Sequence, residues 1–104
     1  MATKRPRRVK ETFTRYDSAD YLKSEEDMAA YLQACMEEAL DDPAFIAQAL
    51  GTVARARGMM QLAKDTGLTR EGLYKALSKD GNPSLGTVLK VLRALHLRIS
   101  LHPV

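Results

Sequence analysis

From Ser24 onward the apolar positions recur at helical spacing. Ser24-Glu25-Glu26-Asp27 reads as a capping-box start, with acids at the positive end of a helix dipole. Met28, Leu32, Cys35, Met36 and Ala39 then fall on one helix face. Asp42-Pro43 sets a cap before a proline at the first helical position. Ile46, Leu50, Val53 and Ala54 form the next stripe, and Gly58 ends it. Met59 to Asp65 predicts a short helix with Met60, Leu62 and Ala63 inside. Thr66-Gly67-Leu68 is a turn, and Thr69 caps another helix with Leu73, Ala76 and Leu77 inward. Asp80-Gly81-Asn82-Pro83 breaks the pattern. Ser84 caps a last helix with Leu85, Val88, Leu89, Leu92 and Leu95 on one face. Leu97, Ile99 and Leu101 then alternate with Arg98, Ser100 and His102, a period of two that predicts a short strand. A lone strand leaves its backbone groups unpaired, so a second copy of the chain is its simplest partner. Leu97, Ile99 and Leu101 are the dimerisation candidates; an irregular tail packed on the core is the other reading.

The pattern predicts an all-α chain with a C-terminal strand. Its 104 residues fit one core. Three segments are expected: a basic arm over 1–15, an acidic helical extension over 16–41, and a helix-turn-helix domain over 42–104. No run approaches the ~18–20 consecutive apolar residues of a membrane span. The basic start has no apolar run behind it, so a secretory signal is not expected. The single cysteine, Cys35, excludes an internal disulfide and a Cys-based zinc cluster, and a cytoplasmic setting is the default. On its apolar stripe Cys35 reads as a small buried hydrophobe.

Charge changes the picture more than composition does. The net charge is +3, but residues 1–16 carry six bases and one acid, residues 17–50 nine acids and one base, and residues 51–104 nine bases and three acids. A basic C-terminal half suits a polyanion, which would repel the acidic middle. Solvated helix faces are the bland alternative for any one of these runs.

Residues 59–78 fit a helix-turn-helix. Two short helices crossing steeply need a small residue at the crossing, met by Ala63. They need a turn residue that tolerates positive φ, met by Gly67. Leu62, Leu68, Leu73 and Ala76 supply the joining faces. The second helix of such a unit enters the major groove. Thr69, Arg70, Glu71, Tyr74, Lys75 and Ser78 then face outward. Arg70 suits guanine O6 and N7, and Lys75 a base or phosphate. Thr69 offers a hydroxyl, and Tyr74 packs on the sugar-phosphate backbone. Glu71 either accepts from cytosine N4 or complements the helix dipole. Gly72, costly inside a helix, fits close approach to DNA or chance. Arg55, Arg57 and Lys79 are phosphate-clamp candidates, with Gln61 beside them on the preceding helix. Asn82 serves the turn.

Catalysis finds no constellation. His96 and His102 lack a Ser, Cys or Asp partner at a recognisable spacing. No phosphate loop or metal-ligand spacing occurs, so neither a cofactor nor a metal is expected, and the chain is not expected to be an enzyme.

Two blocks then carry a resemblance. They run from Ala54 to Gly58 and from Gln61 to Ser78, followed by Gly81-Asn82-Pro83-Ser84 and Val88 to Leu92. They resemble the HigA-like antidote subfamily of bacterial helix-turn-helix antitoxins, related to the Cro/repressor group. The region of Tyr16, Asp17, Tyr21, Leu22, Glu26, Tyr31 and Leu32 is similar to that family's N-terminal segment. The resemblance implies a Cro/repressor-like bundle and a type II toxin–antitoxin system. It implies a small basic RelE/ParE-superfamily toxin as partner and repression of the shared operon by a DNA-bound dimer. Tyr16, Asp17, Tyr21, Leu22, Glu25, Glu26 and Tyr31 become candidates for toxin contact; helices 43–57 or 85–95 are the alternative surface. A stand-alone prophage-type repressor and a purely structural interaction module remain as rival readings.

Overall fold

The computed structural model describes residues 21–39 and 41–103. Among them it holds five helices: α1 (Glu25–Ala39), α2 (Pro43–Arg57), α3 (Met59–Thr66), α4 (Arg70–Ala76) and α5 (Leu85–Ala94). None is long and apolar enough to cross a membrane. The expected arm over 1–15, and Tyr16 and Asp17, lie outside the described residues.

Each start has a chemical cause. The Ser24 hydroxyl accepts from Asp27 N at 3.1 Å, and the Asp27 carboxylate accepts from Lys23 N at 3.0 Å. Asp42 accepts from Phe45 N at 3.2 Å, with Pro43 behind it. Thr69 accepts from Gly72 N at 2.9 Å and Ser84 from Thr87 N at 3.1 Å. Each side chain satisfies one of the donors that a helix start leaves open. Gly58, at φ 112°, ends α2 and starts α3: its N–H bonds the Ala54 carbonyl, and its own carbonyl accepts from Leu62 N.

α1 lies on α2, while α3 meets α2, α4 and α5. They share one core. Met28, Leu32 and Cys35 enter it from α1, Leu50 and Val53 from α2, Leu62 from α3, Leu73 and Leu77 from α4 and the turn after it, and Val91, Leu92 and Leu95 from α5 and its cap. The acidic helix is therefore part of the same packed interior.

Two registers differ from the sequence reading. Met59, not Met60, turns inward on α3; Met60 is 72 % exposed. On α5, Val91 is buried, while Leu85 is 69 % and Leu89 48 % exposed. On α3 the adjacent Met59 and Met60 are equivalent apolar choices until the neighbouring helices select one; on α5, which packs against α3, Val91, Leu92 and Leu95 turn inward together.

The C-terminal strand expected to pair with a second copy is not seen in the single chain: no strand occurs among the described residues. The rest of the described chain is helical and offers no edge for a ladder. α5 ends instead in a Schellman turn. Leu97 N donates to Leu92 O at 2.8 Å and His96 N to Arg93 O at 3.0 Å, with His96 at φ 63°. Leu97 folds back against the core, while Ile99 and Leu101 point out. His96 Nδ1 meets the Glu25 carboxylate, linking the end of α5 to the start of α1. Both side chains are mostly exposed, so that link adds little stability.

Gly51 and Gly81 set the position of α4. A Cβ on Gly51 would lie 2.2 Å from the Leu77 carbonyl oxygen; one on Gly81 would lie 2.2 Å from that of Ala76 and 2.4 Å from that of Lys75. Backbone meets backbone on both sides, and no side chain fits. Gly51→Ala should therefore destabilise by roughly 1–3 kcal/mol through overpacking, lowering the melting temperature by about 5 °C or more. Gly86→Ala is the control. Its Cβ meets nothing nearer than Ser84 Oγ at 3.7 Å, so a gain of up to about 1 kcal/mol is expected from helix propensity. Equal effects in thermal melts would contradict the close approach.

Candidate nucleic-acid interface

The unit is a short helix, a turn and a second short helix. Gly67, at φ 77°, takes the left-handed conformation, and its N–H closes α3 on the Ala63 carbonyl. The Thr66 hydroxyl donates to Leu62 O at 2.8 Å and accepts from Leu68 N at 3.3 Å. Thr69 is extended, with its hydroxyl capping α4. Leu68 packs against the core, and Leu73 and Leu77 lie within it. The path from Thr66 to Arg70 is thus tied at nearly every residue, and the rotation of α4 is set by its two leucines.

That rotation turns the expected residues outward. Thr69, Arg70, Glu71, Tyr74 and Lys75 are exposed, Ser78 is half-buried, and Arg55, Arg57, Gln61 and Lys79 are exposed. The Arg70 guanidinium lies over the Tyr74 ring, 5.9 Å from its centroid. Some of these side chains have local work. Gln61 donates to Asp65 at 2.9 Å, Ser78 donates to the Lys75 carbonyl at 2.9 Å, and Arg55 reaches Thr52 Oγ1 at 3.5 Å. Gly72 has a structural reason as well: a Cβ there would sit 2.9 Å from the capping Thr69 hydroxyl.

Lys64 was not singled out in the sequence, and Met60 was expected inside. With Met59 inside, both turn outward and border a shallow cleft with Leu68 and Arg70. The register of α3 was the missing signal.

The candidate toxin contacts divide. Tyr21, Glu25 and Glu26 are exposed. Leu22 belongs to the core, and Tyr31 is half-buried with its hydroxyl inside the protein. Both contribute to packing. α1 carries five acids and no base. Glu37 and Glu38 stand in its last turn, where the dipole disfavours an anion.

With this geometry in hand, comparison with known proteins is decisive. A family model described as probable addiction module antidote protein matches residues 12–103. The chain belongs to that family. A Haemophilus influenzae protein described only as uncharacterized is 51 % identical to it over 83 residues, 80 % of this chain and 84 % of that protein. No solved structure matches it. Membership of an antidote family implies a toxin partner.

Within this antidote-family chain, Cys35 is shielded from chemistry. Burial pushes its thiol up from 9.0 to about 11; the Tyr31 hydroxyl pulls the other way, and Glu38 adds a smaller upward push. The thiolate is the nucleophile, so the folded protein should resist a thiol reagent near neutral pH and react on unfolding. Between pH 9 and about 11 the unfolded chain loses this proton while the folded chain keeps it. Stability should fall as pH rises through that window, and Cys35→Ala should remove that part of the slope in denaturant titrations.

Proposed function

We propose that this chain is the antitoxin of a type II toxin–antitoxin module and acts by binding, without catalysing a reaction. As a dimer of Cro/repressor-like helix-turn-helix units it represses its own operon, reading double-stranded operator DNA with α4. Through acidic α1 it neutralises a small basic toxin of the RelE/ParE superfamily.

One observation carries this reading: opposite charges sit on helices that share one core. α1 is purely acidic in its charged residues, while α4 turns Arg70 and Lys75 to solvent. Glu37 and Glu38 strengthen the acidic half, because their place in the last turn costs local stability that solvation alone does not explain. The dimer has its own support. Leu85 and Leu89 stand outward on α5, and Ile99 and Leu101 follow on the tail, with Leu101 90 % exposed. A second copy bearing the same apolar residues covers them symmetrically. Two α4 helices then face half-sites about one or more helical turns apart.

The direct test is co-purification. The chain is expressed with the product of its neighbouring gene, and only the neighbour is tagged. A stable complex with a small basic protein is expected. Binding of the upstream promoter without such a complex would leave the stand-alone repressor.

A second prediction separates the two faces. Arg70→Ala and Lys75→Ala should each weaken operator binding by roughly 1–3 kcal/mol if they read bases, with toxin capture unchanged. Glu37→Lys with Glu38→Lys should do the reverse. Charge changes serve better than truncation, because removing α1 strips Met28, Leu32 and Cys35 from the core. Loss of both activities in a variant that still melts normally would refute the division.

A further inference from the structure

We propose that Tyr74 is a positioning residue for Arg70: its ring holds the guanidinium over the outward face of α4 with every donor free, so that the pair reads a guanine. This rests on the reading of α4 as a DNA-binding helix and goes beyond it, because Tyr74 alone suggests only backbone packing.

The backbone of Arg70 is already held in place. Thr69 caps the first turn of α4, and Leu73 and Leu77 lock its rotation. The Cα of Arg70 is thereby placed. What remains free is its long side chain, whose rotamer freedom is lost on binding and weakens affinity accordingly. Residues four apart on a helix are neighbours, and the Arg70 guanidinium indeed lies 5.9 Å from the Tyr74 ring centroid. On its other side Arg70 borders the cleft with Met60 and Lys64. The like charge of Lys64 makes the cleft the poorer resting place and the electron-rich ring the better one.

The mode of holding matters. A carboxylate partner would occupy the N–H fork. A ring face engages the face of the guanidinium and leaves its five in-plane donors available. Guanine offers O6 and N7 at the spacing of that fork. Tyr74 is 46 % exposed, which leaves the ring able to stay against Arg70 at the DNA surface.

The test uses the full chain and a duplex from immediately upstream of its own gene. Guanines are replaced one at a time by 7-deazaguanine, which lacks the N7 acceptor. Wild type should lose about tenfold or more at one guanine per half-site, within the range of a bidentate contact. Arg70→Ala should abolish that penalty. Tyr74→Ala should shrink it to about threefold or less, while Tyr74→Phe, which keeps the ring, should retain it. A full penalty in Tyr74→Ala would overturn the proposal. So would a loss in Tyr74→Phe equal to that in Tyr74→Ala, since the hydroxyl would then be the active group. So would a wild-type chain that binds the duplex specifically with no sensitive guanine. A wild-type chain that binds the upstream duplex no better than a scrambled one would instead overturn the DNA-binding reading, and this proposal with it.

Discussion

The end of α4 is pressed between two backbones, and the rest of the candidate interface depends on it. α4 has seven residues, too few to persist alone in water. It exists because Leu73 and Leu77 are buried, because Thr69 caps it, and because Gly51 and Gly81 let other segments reach its last carbonyls. A side chain at either glycine would move α4 off the core. The outward positions of Arg70, Tyr74 and Lys75 therefore follow from packing on the opposite side of the helix.

The same core carries the acidic helix. α1 contributes Met28, Leu32, Cys35 and Ala39 to it and faces α2, the helix that holds Gly51. Acid and base are thus built into one packed body without cancelling. The molecule extends 41 × 32 × 26 Å. That spans several screening lengths of about 8 Å at physiological salt. Charges further apart than one such length are largely screened from each other.

Much of this was legible in the residues, and what was not has identifiable causes. Asp42, Thr69 and Ser84 cap the helices they were expected to cap, because a side-chain oxygen before a helical stripe acts locally. Gly67 is left-handed as its turn requires. The inward choice of Met59 over Met60, and of Val91 over Leu85 and Leu89, depends on helices distant in sequence. Gly51 was not singled out along the chain, and the Leu77 carbonyl beside it explains its place in the helix. The alternation after His96 imitates a strand. A Schellman turn with histidine in the usual place of glycine precedes it, and Leu97 is the one residue of that run used inside. On the acidic side, Leu22 joins the core and Tyr31 packs against it, a burial that depends on α2 and is not visible in the charge pattern.

One core beneath two faces has a thermodynamic consequence that requires no moving part. A partner bound to the folded chain stabilises that state by mass action, by about 2.7 kcal/mol at a hundredfold excess over its dissociation constant. For a chain of this size that is a large fraction of total stability. Because α1 and α4 contribute to one core, a ligand on either proposed face would protect the other from unfolding. Two sites joined in this way support each other whenever the free chain is marginal, and they stop doing so once it is stable. Coupling of that kind needs no second arrangement of the helices, only a shared interior small enough that losing α1 means losing α4.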